Sequence, residues 1–130
     1  MLVVYRPGPE FLVALRTPER HGYWNLVAGG VEDCEAPAAA ARRELAEESG
    51  LSDPSAFEQL PLELGYLRPG GPFVALHAYS AAAPDGWEPV LNEEHVEYRW
   101  CSAQEAEALL AYPEPREAVH YVASALEAGE

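Results

Sequence analysis

Residues 29–51 read GGVEDCEAPAAAARRELAEESGL. Three of the carboxylates in this stretch, Glu44, Glu47 and Glu48, stand at i, i+3 and i+4. On a helix those positions share one face. Like charges at that spacing repel each other, so a helix that gathers them there has a use for them. A hard divalent cation, which takes oxygen ligands, is the obvious one. A metal held this way binds phosphates and activates water. ELAEE in isolation would more often be a solvated helix face, so the flanking residues decide.

Nine positions of the stretch fit one spaced pattern, G-x5-E-x7-R-E-U-x-E-E-x-G-U, with U an aliphatic residue. With ordinary residue usage a random window matches it on the order of once in 10⁹. This is the Nudix box, matched in full over 23 of 130 residues, and the chain resembles a Nudix hydrolase. The resemblance implies an α/β fold, an α/β/α sandwich around a mixed β-sheet, with residues 1–130 forming one domain. It implies that Glu44, Glu47 and Glu48 hold Mg²⁺ or Mn²⁺. It also implies that Arg43 ties the helix to the preceding loop through Glu35. Gly29 and Gly30 form the turn between strand and helix, where glycine lets backbone approach metal and phosphates. Most members carry Pro-Gly-Gly before the box, whereas this chain has Val27-Ala28-Gly29-Gly30. The Ala28 carbonyl then stands where the family has a backbone metal ligand, and a carbonyl can serve from any residue. Cys34 replaces a common glycine. If that site needs a positive φ, the substitution costs about 1 kcal/mol.

Composition bounds the rest. A chain of 130 residues, 48% hydrophobic and 23% charged, is long enough for a real core and has the balance of an ordered globular domain. Its apolar runs are too short to span a bilayer. Met1 leads into LVVY without a basic n-region or cleavage site, so no secretory leader and a cytoplasmic location are expected. Cys34 and Cys101 have no metal-ligand spacing and read as two reduced thiols. A net charge of −14 excludes general nucleic-acid binding, which needs a basic footprint. It conflicts with a polyphosphate substrate only until a divalent cation is placed between acid and phosphate.

Residues 2–5 and 11–15 are short apolar runs around Arg6-Pro7-Gly8-Pro9-Glu10, which predicts a hairpin or two neighbouring strands. Residues 23–27 predict a third strand entering the box. A helix is expected over 36–49, with Pro37 in its first turn, Ala38, Ala41 and Leu45 on its apolar side, and Gly50 as a left-handed stop. Residues 58–67 and 73–81 read as an antiparallel pair. In the second run, Phe73, Ala75, His77 and Tyr79 are expected on one face and Val74, Leu76 and Ala78 on the other. Residues 96–100 suggest a further strand. Helices are expected over 103–111, broken at Pro113, and over about 115–128, with Val119, Val122, Ala123 and Leu126 as the buried stripe.

A second segment, Asn92-Glu93-Glu94-His95-Val96-Glu97-Tyr98-Arg99-Trp100, lies outside the box. In Nudix hydrolases a loop glutamate of this kind often completes the metal site or acts as general base. Glu94 is the first candidate, with Glu93 and Glu97 next. The catalytic set implied by the resemblance is Glu44, Glu48 and Glu94, with Glu48 or Glu94 as the base. The E-H-x-x-Y-x-W pattern and the later Arg116-x-Ala118-Val119 are similar to bacterial dihydroneopterin triphosphate pyrophosphohydrolases. His95 and Trp100 also suit a surface histidine and a core aromatic. Arg16 precedes the loop into Trp24 and is placed to reach phosphates. Tyr23, Trp24, Phe73, His77 and Trp87 could stack on a base, or could simply pack.

These features imply metal-dependent hydrolysis of a nucleoside diphosphate linked to another group. The expected substrate is a small nucleotide-type molecule, first a nucleoside or pterin triphosphate cut to monophosphate and pyrophosphate. A dinucleoside polyphosphate is the alternative, because Tyr66 lies 16 residues past Gly50, near a tyrosine of the diadenosine polyphosphate hydrolases. A catalytically silent nucleotide-binding domain would usually lose box glutamates, and none is lost here. No membrane partner is expected, and a homodimer is common in the family. Replacing Glu47 or Glu48 by Gln is expected to lower turnover by orders of magnitude with the fold intact. Steady-state rates with circular dichroism check this, and a fully active double variant contradicts the assignment.

Overall fold

The computed structural model describes residues 1–29 and 32–129. Gly30, expected in the substrate turn, lies outside the described residues. β1 (Leu2–Arg6) and β2 (Glu10–Arg16) form from the two apolar runs on either side of the Pro/Gly turn. They pair antiparallel at the hairpin end, Tyr5 opposite Phe11 and Arg6 opposite Glu10. β8 (His95–Cys101) lines the other edge of β2 from Phe11 to Arg16, with a bulge between Leu15 and Arg16. Past the hairpin, β1 and β2 part, and the segment that starts with β3 (Trp24–Asn25) enters the gap. Trp24 and Asn25 pair with Leu15 and Ala14 of β2. Val27 bridges to β1, its carbonyl accepting from the Leu2 N–H at 2.8 Å. This wedge aims Ala28 and Gly29 at the box helix.

The sheet continues from β1 to the parallel β7 (Tyr79–Ala82), and from β7 to the antiparallel β4 (Ala56–Gln59). Alternation along the central strands sorts side chains into two layers. Leu2, Val4, Leu12, Val27 and Ala81 face α1 (Pro37–Ser49), packing with its Ala41 and Leu45. Val3, Phe11, Val13 and Leu26 face the other way, onto Ala106 of α2 (Ala103–Leu109) and Ala118, Val119 and Val122 of α3 (Pro113–Ala128). The mixed sheet between helical layers is the expected α/β/α sandwich.

Several boundaries differ from expectation. The runs 58–67 and 73–81 do pair with each other, but each is broken in two. β4 and β7 belong to the main sheet, while β5 (Leu64–Leu67) and β6 (Phe73–Leu76) form a separate two-stranded sheet. Pro61 interrupts the first run; it has no N–H to give a ladder and favours a break. The interruption also splits the expected face. Phe73, Ala75 and His77 are exposed, whereas Tyr79, beyond the break, is buried. In α1, Ala40 is buried with Ala41 and Leu45, but Ala38 is exposed in the first turn. Pro113 does not merely end α2. It opens α3, because proline suits the first helical position, and it holds Tyr112 extended before it (ψ 154°). Val119 and Val122 are buried in α3, with Ala123 and Leu126 only partly covered. α2 starts on a capping box, Ser102 and Glu105 each bonding the other's backbone N–H. No helix among the described residues is long and apolar enough to cross a membrane.

Phe11 is fully buried between the sheet and the α2–α3 layer. Phe11→Ala is expected to destabilise the fold by about 3–5 kcal/mol, read from the midpoint and slope of urea unfolding.

Candidate metal and phosphate site

The splayed end of the β1–β2 pair sets the site. Gly29 leaves β3 and passes directly beneath α1. A Cβ there would overlap the Glu44 carboxyl, so this glycine is required for space and not for its backbone angle. Cys34 adopts φ 62°, the left-handed conformation that disfavours a side chain and costs about 1 kcal/mol. Gly50 ends α1 at φ 80°, its N–H donating to the Ala46 carbonyl.

Arg43 braces the turn to the helix. Its Nε and Nη2 donate to the two oxygens of Glu35 at 2.8 and 3.0 Å, a bidentate pair. Nη1 reaches Glu44 at 2.8 Å and Glu47 at 3.2 Å. Glu35 also accepts from the Glu32 N–H at 2.9 Å. The Arg43 guanidinium, and then that N–H, hold its carboxyl below the usual range.

Glu44, Glu48 and Glu94 each place a carboxylate oxygen within 4.8 Å of the others. Glu94 arrives from the β8 side, where Asn92 shapes the loop: its Oδ1 accepts the Glu94 N–H at 3.0 Å, an Asx turn. Glu48 lies deepest. Its side chain is 1% exposed, and neither oxygen forms a hydrogen bond among the described residues. Burial first, then the neighbouring Glu44 carboxyl and the charge on Glu94, push it up to about 9. The Ala28 N–H, nearby but short of hydrogen-bond geometry, offsets a small part of this.

The donor set fits a divalent cation. A buried carboxylate without donors is expensive unless it is paired or coordinates a metal. Three convergent carboxylates, with a backbone turn kept free of side chain by Gly29, suit a hard ion that also keeps water and substrate oxygens.

The family model for the NUDIX domain matches residues 1–122. The chain belongs to the NUDIX domain family. In fold it is similar to the E. coli dihydroneopterin triphosphate pyrophosphohydrolase, with TM-score 0.80 and 23% identity over 93% of this chain and 90% of that one. It is also similar to a C. elegans Ap4A hydrolase in a binary complex, with TM-score 0.73 and 25% identity over 99% and 97% of the two chains. An octanoyltransferase from Myxococcus xanthus is 35% identical over 129 residues, covering 90% of this chain and 34% of that protein. The chain thus spans about a third of the length of that curated relative. Dependence on a divalent metal is general to the Nudix hydrolases.

The Nudix box does not bring all its glutamates together. Glu47 is 55% exposed and bonded to Arg43, outside the cluster of Glu44, Glu48 and Glu94. At about 100° per residue, Glu48 stands about 40° from Glu44 around the helix and Glu47 about 60° to its other side. Glu93 is exposed, and Glu97 pairs with Arg99 at 3.5 Å. Arg16 lies at the rim, its Nε donating to the Arg20 carbonyl at 3.3 Å and its guanidinium 5.4 Å from the Tyr23 ring. Tyr23 packs edge-on against Tyr112, and Trp24 sits under Arg99. Trp87 packs against Trp100, which Arg6 of the hairpin end covers. Phe73 lies over Gly65, and His77 is exposed. Cys34 and Cys101 are both free thiols.

Two participants went unnoticed in the sequence. Arg20, in a short 3-10 turn (Pro18–Arg20), pairs with Glu94 at 3.2 Å. Asn92 had a local signal, an Asn two residues before the glutamate it positions. Arg20 had none, because its partner is 74 residues away. A cleft of about 1060 Å³ near Tyr5, Pro9, Ala83, Ser102 and Leu126 shares no lining residue with the carboxylate cluster.

Because Glu48 binds its proton more tightly folded than unfolded, its contribution to stability is full below about pH 4.5 and is lost as pH rises through about 9. In EDTA the protein is expected to lose stability between pH 5 and 9 relative to Glu48→Gln. Urea unfolding of both proteins across that range checks this. Parallel curves contradict it.

Proposed function

We propose that this chain hydrolyses the pyrophosphate linkage of a nucleoside or pterin triphosphate, giving the monophosphate and pyrophosphate, with Mg²⁺ or Mn²⁺ as cofactor. The observation that carries the proposal is the buried Glu48 carboxylate, convergent with Glu44 and Glu94 beside the Gly29 turn. Glu44, Glu48 and Glu94 would hold the ion, with the Ala28 carbonyl available from the turn and Glu47 at the rim. A divalent ion bound there supplies charge neutralisation at the phosphates and lowers the pKa of attacking water.

The chain's own residues do the rest. Glu94 is the base of choice, since it is partly open to solvent while Glu48 is sealed beneath it. Arg20, paired with Glu94, and Arg16 form a cationic rim that phosphate oxygens could engage once a divalent ion offsets the carboxylate cluster. Arg43 and Glu35 keep the turn fixed against α1, which preorganises the ligands. Tyr23, supported by Tyr112, offers an aromatic surface next to Arg16 for a base or pterin ring.

A dinucleoside polyphosphate is the second reading. Tyr66 is 43% exposed on β5 and so is free to meet a second nucleoside, and the C. elegans Ap4A hydrolase is among the similar structures.

A panel of nucleoside and pterin triphosphates, dinucleoside polyphosphates and ADP-ribose, with products identified, separates these. The expected result is the highest kcat/KM on a triphosphate, with pyrophosphate released. A Glu94→Gln variant is expected to lose about 10²–10⁴-fold in kcat. Release of orthophosphate from triphosphates, or preference for a dinucleoside polyphosphate, overturns the first reading.

A further inference from the structure

His95 opens β8 immediately after Glu94, opposite Arg16 of β2. Its side chain is 1% exposed, and its Nδ1 lies 3.9 Å from Glu48 Oε1, which is equally buried. Neither ring nitrogen has a hydrogen-bond partner among the described residues, and neither does either oxygen of Glu48. Two sealed polar groups side by side, both unbonded, are uncommon, since each gives up water without return. A leucine would fill a core position of this size at no such cost. The pair therefore has a use in which at least one partner becomes a charged acceptor.

We propose that His95 is a positioning residue for Glu48, its neutral imidazole donating Nδ1–H to the Glu48 carboxylate when that carboxylate serves as a metal ligand. The proposal rests on the assignment of Glu48 to the divalent site. A closure of about 1 Å brings the pair from its present spacing to hydrogen-bond distance. The bond would give an ionised, buried carboxylate a protein donor and hold one of its oxygens in place. Partners that orient a metal's ligands in this way commonly matter 10- to 100-fold for affinity. His95 acts through Glu48 and needs no contact with substrate.

The test measures Mn²⁺ affinity by electron paramagnetic resonance for the wild type, His95→Leu, His95→Asn and Glu48→Gln, each checked for folding by circular dichroism and thermal unfolding. His95→Leu is expected to bind Mn²⁺ about 10- to 100-fold more weakly, and His95→Asn, which keeps a donor, to recover most of that loss. Nitrogen-15 NMR of the Mg²⁺-loaded wild type is expected to show a neutral His95 with its proton on Nδ1, and this readout needs no variant. Wild-type affinity in a folded His95→Leu, no recovery in a folded His95→Asn, or the proton on Nε2 overturns the proposal. If Glu48→Gln itself binds Mn²⁺ as the wild type does, the metal assignment falls. If only His95→Leu does, the assignment stands and the role of His95 alone is rejected.

Discussion

Placing an ionised carboxylate in a protein interior without a hydrogen bond costs several kcal/mol, and among the described residues the Glu48 carboxyl has no hydrogen-bond partner. It can remain protonated, or it can be matched by a positive charge. Glu44 and Glu94 deepen the problem by adding negative charge within 4.8 Å. A structure that retains all three has them available for a cation, and the surrounding architecture follows from keeping them together. The wedge of residues 24–27 between β1 and β2 delivers Gly29, the absence of a side chain there leaves room for Glu44, and Arg43 locks Glu35 of the loop to the helix. The two core layers hold sheet and helix in the register that this arrangement needs.

The charge of the whole chain makes sense in the same terms. A net charge of −14 opposes an anionic substrate at long range, although salt shortens that reach to about 8–10 Å. Within the site, the carboxylates supply a binding place for the ion that reverses the local sign. The few cations that stand near the cluster are placed with purpose. Arg43 faces the helix carboxylates, and Arg20 faces Glu94. Each neutralises a carboxylate while leaving the centre of the cluster to the ion.

The part of the site that is local in sequence was legible there. Helical periodicity put Glu44 and Glu48 on one face, Pro37 and Gly50 marked the ends of α1, and the positive φ needed at Cys34 could be stated as a condition. Periodicity was too coarse to separate Glu47 from its neighbours, because sharing a face does not fix which side chain bends inward and which is taken by Arg43. Glu94 came from family resemblance and not from spacing. Its pairing with Arg20, and the burial of His95 against Glu48, depend on strands far apart in the chain. In the fold, alternation predicted the central strands well, whereas the run through Pro61 looked continuous because its apolar residues straddle a break that only pairing reveals.

Anomalous scattering from crystals of the protein soaked in Mn²⁺ tests the central claim most directly. A manganese peak coordinated by carboxylate oxygens of Glu44, Glu48 and Glu94, at about 2.0–2.6 Å as for hard cations, is the predicted result. A peak that avoids Glu48, or no peak in crystals whose protein hydrolyses substrate with Mn²⁺, would contradict it.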